Sequence, residues 1–249
     1  MEELKIDPRV AYDVVELPSK GIHYPNKKKS VRVAYLTASD ENILSSPGLM
    51  NSNSMIGELL KRKVLDKDID TDDLVEEDIR TILIFLRNTA FGTEYKITTT
   101  DPKTNKDFEV TIDLSSLKVK DFNLVENSEG EFQYYFKKSK IDITFKFLNK
   151  KQEREIEKLK TSWNGLGAPP IITKQLEFMI KSVQGNKDQL NIRNLVENLP
   201  ITDSQEFRKF VEANKPGLDL TQTITTPSGE NIQLNIGFGV EFFLPFFGL

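Results

Sequence analysis

Residues 31–41 read Val-Arg-Val-Ala-Tyr-Leu-Thr-Ala-Ser-Asp-Glu, and this stretch decides the class of the fold. The side chains alternate in character from Val31 to Leu36, which predicts a β-strand. Thr37 or Ser39 can then accept backbone hydrogen bonds at the start of a helix. The acids that follow favour the positive end of its dipole. A strand that passes directly into a capped helix predicts an α+β chain.

The second half of the chain repeats this arrangement. Residues 145–153 read Phe-Lys-Phe-Leu-Asn-Lys-Lys-Gln-Glu, again a strand followed by a helix start. In each half a later helix ends in glycine and runs into a second hairpin. Ile97-Thr98-Thr99 recurs there as Ile224-Thr225-Thr226, and Phe85 and Gly92 have the same spacing as Phe210 and Gly217. Two readings stay open: an internal duplication, and coincidence, since hairpins and capped helices are common.

The chain is therefore predicted to form two α+β lobes of β-hairpins and short helices, residues 1–120 and residues 121–249. The boundary is placed in the polar stretch 118–131, which contains an Asn-Ser-Glu-Gly turn at 127–130. The expected strands are residues 14–17, 31–36, 95–100, 108–114, 132–136, 141–148, 220–225 and 232–236. The expected helices include residues 55–65, 76–89, 150–160 and 171–183, and one that Thr202 and Asp203 would cap.

Composition excludes several classes of function. The 249 residues are 38% hydrophobic and 29% charged, which is typical of a soluble globular protein. The chain has no cysteine, so disulfides and thiolate metal sites are excluded, and its one histidine, His23, excludes sites built on several histidines. A formal net charge of -4 argues against a general nucleic-acid surface, and Lys27–Lys29 is more simply a solvated turn. No apolar run has the length of a membrane span, and residues 1–13 do not resemble a signal peptide.

The motifs of the common enzyme classes are missing. There is no phosphate-binding loop and no nucleophile elbow, and Gly165-Leu166-Gly167 leads into alanine and two prolines rather than a dinucleotide fingerprint. The acidic run from Asp66 to Asp73 resembles a calcium loop but lacks the central glycine, so a solvated loop is the simpler interpretation. We therefore predict no catalytic, cofactor-binding or metal-binding residue, and a protein that is not an enzyme.

The predicted partner-binding residues are aromatic and apolar. The last residues of the chain are crowded with them, whereas chain termini are normally polar. Such a tail must be covered by its own domain or by a partner, and we favour a partner. Trp163, just before a Gly/Pro-rich loop, either contacts a partner or anchors that loop. The predicted partner-binding set is Phe242, Phe243, Leu244, Pro245, Phe246, Phe247, Leu249 and Trp163.

Several segments resemble the baseplate hub family of T-even-type bacteriophages. The resemblance covers nearly the whole chain and is densest in residues 12–97. The segments that carry it are Tyr12–Gly21 with Tyr24-Pro25, Tyr35–Leu44, Leu59–Arg62 with Asp66 and Ile69, Ile84–Arg87, Gly92-x-Glu94-Tyr95, and Phe242-Phe243-x-Pro245.

The resemblance implies a late viral protein of the contractile-tail baseplate hub, bound to other hub proteins in the virion. The alternatives are a transient assembly chaperone for hub or tape-measure protein, active in the host cytoplasm and absent from the mature virion, and, more remotely, a hub-associated hydrolase. A hydrolase would need paired carboxylates in a cleft, and the sequence shows no diagnostic pair. Some relatives carry Cys-x-x-Cys where residues 101–107 form a hairpin tip. With no cysteine here, a zinc-ribbon role is absent or replaced by turn chemistry.

Overall fold

A computed structural model describes residues 10–24, 26–45, 52–238 and 240–243. Its strands are β1 (Tyr12–Glu16), β2 (Ser30–Ala34), β3 (Glu94–Asp101), β4 (Lys106–Asp113), β5 (Phe132–Phe136), β6 (Ile141–Phe145), β7 (Ile180–Val183), β8 (Thr221–Thr225) and β9 (Asn231–Asn235). Its helices are α1 (Ala38–Leu44), α2 (Ser52–Lys63), α3 (Glu76–Phe91), α4 (Lys150–Ser162), α5 (Ile171–Met179), α6 (Gln189–Asn198), α7 (Ile201–Ala213) and the single turn α8 (Val240–Phe243). The predicted α+β class is confirmed.

The strands form small antiparallel sheets. β1 pairs with β2, β3 with β4, and β8 with β9, while β5, β6 and β7 form one three-stranded sheet in that order. The predicted helix 171–183 is wrong in its last turn, because Ile180–Val183 leaves the helix and pairs with β6 as β7. Three of the four residues of this strand are buried, and the burial outweighs the helical pattern of the preceding residues.

Helix ends follow the local chemistry of the sequence. At the start of α4 the side chains and backbone amides of Asn149 and Gln152 bond reciprocally, at 2.9 and 3.1 Å, which is a capping box. Gly92 ends α3 with φ at 82°, a value that favours glycine. Asp203 was expected to cap α7, but Pro200 occupies the cap position. The Asp203 carboxylate instead accepts hydrogen bonds from the backbone amides of Lys138 and Ser139 in the β5–β6 turn.

Two hydrophobic cores organise these elements. The first lies among β1, β2, α1–α3 and the β3–β4 hairpin, and it also includes Leu220, Ile236, Phe242 and Phe243 from the end of the chain. The second lies among β5–β7 and α5–α7, where the rings of Phe132, Phe145 and Phe207 pack in tilted and edge-to-face contacts and are almost completely buried.

The observed cores do not follow the predicted lobes 1–120 and 121–249. The chain crosses to the second core after residue 121 and returns to the first at residue 218. Two short backbone ladders join the cores. Lys150 N donates to Leu74 O and Lys151 N to Asp72 O, both at 2.9 Å. Lys120 N donates to Gly217 O and Asp219 N to Lys118 O, both at 2.8 Å. The order of elements in the two halves is similar, and the duplication itself stays a prediction.

Arg87 holds the returning segment against the first core. Its guanidinium is buried and donates to the carbonyls of Phe242, Gly92 and Glu94 at 3.1, 2.7 and 2.9 Å. It also lies over the rings of Tyr95 and Phe242, at 4.9 and 5.6 Å from their centroids. These contacts fix the position of α8 relative to the end of α3.

Asp78 ties the β1–β2 connection to α3. Its carboxylate accepts hydrogen bonds from Ser19 N at 2.9 Å, from Ser19 Oγ at 2.5 Å and from the Tyr24 hydroxyl at 2.5 Å. The Tyr24 hydroxyl in turn accepts from Val75 N at 3.2 Å. Burial raises the pKa of Asp78, and the three donors offset part of that effect. The loop so held directs Ile22 toward the second core.

The burial of Phe242 gives the first prediction. Phe242→Ala should lower the free energy of unfolding by about 3–5 kcal/mol, because a fully buried ring leaves a cavity. Tyr135→Ala, at a half-exposed ring, is the control and should cost less than about 1 kcal/mol. Urea unfolding measures both variants. Equal effects would show that Phe242 is not a core residue.

Candidate functional site

The predicted partner-binding residues fall into three groups in the structure. Phe242 and Phe243 are fully buried in the chain's own first core, so these two side chains serve the fold, and the partner role we favoured for them is corrected. Leu244, Pro245, Phe246, Phe247 and Leu249 lie outside the described residues, and their role stays a prediction. Trp163 is partly exposed at the end of α4.

Trp163 closes the α4–α5 loop, residues 163–170, onto itself. Its indole Nε1 donates to Gly167 O at 3.1 Å. A β-carbon on Gly165 would overlap the indole ring, so only glycine allows the loop to pass this close. Ile171 N donates to Pro169 O at 2.8 Å just before α5 begins. The indole therefore anchors the loop to itself rather than to either core.

The closed loop presents Leu166 to solvent. The relative exposure of Leu166 is 102%, so this side chain has no packing partner within the described chain. The loop carries no charged residue, and Ile172, in the first turn of α5, is also half-exposed. An isolated exposed leucine is ordinary on a protein surface, but this one lies in an uncharged loop that the Trp163 indole closes.

A second feature lies between the cores, and we call it the intercore cleft. The ladder of Leu74 and Lys150 places the first turns of α3 and α4 side by side, which brings Glu77 and Glu153 to one cavity of about 180 Å³. Met179 and Val211 from the second core form part of its apolar wall. Adjoining cavities of about 380 and 110 Å³ share part of this lining.

The charged lining of the intercore cleft is not fully paired. Three carboxyl groups, of Glu77, Glu153 and Glu212, share it with Lys215 and Arg208. Lys215 Nζ lies 3.6 Å from Glu77 Oε1 and 3.2 Å from Glu212 Oε2. Glu77 Oε1 and Arg208 Nε have no hydrogen-bond partner among the described residues. The side chain of Glu153 forms no hydrogen bond or ion pair with any residue that the structure describes.

Burial raises the pKa of the Glu153 carboxyl to about 8, and the neighbouring carboxylate of Glu76 adds to this effect. Burial also raises the pKa of Glu77, although Lys215 opposes the shift. At neutral pH the cleft therefore keeps a proton on Glu153 instead of an additional negative charge. Sequence analysis did not predict that Glu77 and Glu153 share a cavity, because the two acids lie in separate halves of the chain. The only sequence feature they have in common is their position in the first turn of a helix.

Other polar residues noted in the sequence make structural contacts, although neither ring nitrogen of His23 has a hydrogen-bond partner among the described residues. His23 packs edge-on against Phe147, with centroids 5.3 Å apart, and burial lowers its pKa to about 4. Asp66 accepts hydrogen bonds from Arg32 and Lys28. Within the described ranges, no cluster of His, Asp or Glu is arranged to hold a metal ion. None of the helices described there has the length and apolar character that a membrane crossing requires.

The hairpin tip at residues 101–107 is held by turn chemistry. The buried carboxylate of Asp101 accepts from Lys103 N at 2.9 Å within its own turn. It also accepts from Ser228 N and Ser228 Oγ, at 3.1 and 2.9 Å, in the β8–β9 turn. Asp101 thus joins the tips of the two hairpins.

Fold and site together define an α+β protein with two interlocked cores, an exposed apolar loop and a charged intercore cleft. The family model described as T4 bacteriophage base plate protein matches residues 15–243 of this chain, and the chain belongs to that family. It is a phage baseplate protein, and its neighbours are other baseplate components. Searches of curated proteins and of solved structures found no significant match.

The raised pKa of Glu153 gives the second prediction. Between about pH 6.5 and pH 8 the folded state holds a proton that the unfolded state has released, so the free energy of unfolding falls as pH rises, by up to about 1.4 kcal/mol per pH unit. Glu153→Gln should flatten this slope, whereas Glu155→Gln, exposed on the same helix, should keep it. Urea unfolding at several pH values measures the slopes. Parallel profiles for wild type and Glu153→Gln would contradict the assignment.

Proposed function

We propose that this baseplate protein is a structural or assembly component of the hub and acts by binding other hub proteins rather than by catalysis. The observation that carries the proposal is the α4–α5 loop, an uncharged loop that the Trp163 indole closes and in which Leu166 is fully exposed to solvent. Because the loop is already closed by Trp163, little conformational entropy is lost when it binds. Burying one leucine side chain contributes about 1.5–3 kcal/mol, which is the size of an interface hot spot.

Catalysis is the less favoured function. A glycoside hydrolase needs one carboxyl group that stays ionised and one that holds its proton, in environments that separate their pKa values. Glu153, with a pKa of about 8, can hold a proton, but the carboxylate that would have to act beside it, Glu77, is only 7% exposed and faces Lys215 at 3.6 Å. The cavity they share, about 180 Å³, is also smaller than the roughly 300–1,000 Å³ of small-molecule sites. These features support binding by the cleft rather than bond cleavage.

Leu166 tests the proposal directly. Leu166→Asp should leave the melting temperature unchanged, since the side chain makes no packing contact to lose, and should weaken binding to hub assembly intermediates by about thirtyfold. Val125→Ser, at an apolar side chain with 86% exposure outside the loop, is the control and should bind normally. Co-purification from infected cells with a tagged chain measures binding. Normal co-purification of the Leu166 variant would contradict a role for the loop.

The remaining alternative is a transient assembly chaperone, for the hub or for the tape-measure protein. We expect the protein to remain in the finished particle, so quantitative mass spectrometry of purified virions should find it at a fixed ratio to other baseplate subunits. Its presence in assembly intermediates and absence from virions would instead favour the chaperone.

A further inference from the structure

We propose that the intercore cleft receives an arginine side chain from a neighbouring baseplate protein, with its guanidinium between the carboxyl groups of Glu77 and Glu153. The inference extends the proposed function, because it names the chemistry of a partner and a second place on this chain where that partner binds. It stands on the cleft's cavity, its unpaired groups and its apolar wall, none of which involves the α4–α5 loop.

The cleft contains a carboxyl group that only an added cation would ionise. Three carboxyl groups face two basic side chains, so the third acid, Glu153, has no counterion and keeps its proton while the cleft is empty. Three neighbouring cations pair with other acids: Arg154 lies 2.7 Å from Asp72, Lys160 lies 2.8 Å from Glu157, and Arg80 pairs with Glu76. Lys150, in the adjoining cavity, lies 3.9 Å from Asp72, and its Nζ has no hydrogen-bond partner among the described residues. Glu153 is the acid that none of these reaches.

Glu77 supplies a second, independent indication. Its side chain is only 7% exposed, and Oε1 has no hydrogen donor although it lines the cavity. Lys215 Nζ is the nearest cation, and at 3.6 Å it lies beyond hydrogen-bond length. A buried carboxylate oxygen without a donor is costly, so a donor that enters the cavity would be bound favourably.

The shape of the cavity favours arginine. Phe147, Leu148, Met179 and Val211 form an apolar wall that suits the methylene groups of a long side chain. The guanidinium presents several N–H donors in one plane, so it can bond two carboxyl groups at once, whereas the lysine ammonium is a compact point charge. A volume of about 180 Å³ suits one inserted side chain better than a separate small molecule.

Proton balance follows from the same groups. Several charged residues line these cavities or act on Glu153. They are Glu76, Glu77 and Arg80 on α3, Lys120 in the segment before β5, Lys150, Arg154, Glu157 and Lys160 on α4, Arg208 and Glu212 on α7, and Lys215 after it. Because the pKa of Glu153 is about 8, its carboxyl is mostly protonated when the cleft is empty at neutral pH. The incoming guanidinium replaces this proton, which is released to solvent. Binding should therefore strengthen as pH rises toward 8.

The test uses the full chain with N-acetyl-arginine amide as probe and N-acetyl-citrulline amide, which is neutral and similar in shape, as its control. Calorimetric titration at pH 7.5 should show binding of the arginine probe at least about tenfold tighter than of the citrulline probe. The apparent enthalpy should depend on the ionisation enthalpy of the buffer, since a proton is released. Equal binding of the two probes, or binding without proton release, would overturn the proposal.

Variants localise the effect. Glu153→Gln should weaken arginine binding at least about tenfold and abolish proton release, while Glu155→Gln on the exposed side of α4 should change neither. Arginine binding that survives Glu153→Gln unchanged would also overturn the proposal. If Glu153→Gln does not fold, the two probes on the wild-type chain still decide the outcome. No baseplate protein is present in this experiment, so a negative result would contradict the arginine site but not the proposed binding to hub proteins. Conversely, failed co-purification with hub proteins would not contradict the arginine site.

Discussion

The buried guanidinium of Arg87 is the contact on which the arrangement of the chain depends. It has no ion-pair partner among the described residues, and three backbone carbonyls and two aromatic faces replace the water it loses. Burial lowers the pKa of this guanidinium, although arginine side chains keep their charge in proteins. One of the three carbonyls belongs to Phe242, 155 residues away, so this side chain joins the end of α3 to the end of the described chain. It holds the far end of the segment 218–243 on the first core, while the start of that segment is bonded to the backbone of Lys118.

That return is what makes the two cores interlock. The chain crosses between them at residues 118–120 and again at 217–219, and these two strands of backbone bond to each other. A second ladder joins the start of α3 to the start of α4. The intercore cleft lies beside these ladders, so its carboxyl groups are positioned by backbone hydrogen bonds rather than by mobile loops. The acids in the first turns of both helices lie at the positive ends of the helix dipoles, which favours their ionised forms and so opposes the effect of burial.

Local chemistry in the sequence predicted the elements but not their long-range pairing. Alternation predicted the β3–β4 and β8–β9 hairpins, and capping residues predicted the starts of α1 and α4, since these depend on neighbours within a few residues. The lobe boundary depends on contacts between distant segments, such as that of Arg87 with Phe242. The periodicity of hydrophobic residues along the sequence does not indicate such contacts. The same limit applies to the aromatic residues at the end of the chain. Their composition alone could not show whether they are buried in the chain's own core or bind a partner. For Trp163 the sequence indicated the right loop, but the exposure of Leu166 became visible only when the indole was seen to close it.

Helix α4 connects the two proposed contact regions. Glu153 lies in its first turn and Trp163 follows its last residue, so about 15 Å of helix separates the intercore cleft from the α4–α5 loop. A protein interface of ordinary size, about 800 Å² on each partner, is wide enough to include both. The two contacts would then contribute differently, because an exposed leucine supplies apolar area, whereas a charged cleft sets the orientation and selects the partner. A rigid helix fixes the distance between the cleft and the loop. Many baseplate proteins offer apolar surface, but a partner must match this distance to make both contacts. The spacing would therefore select one neighbour more effectively than either contact alone.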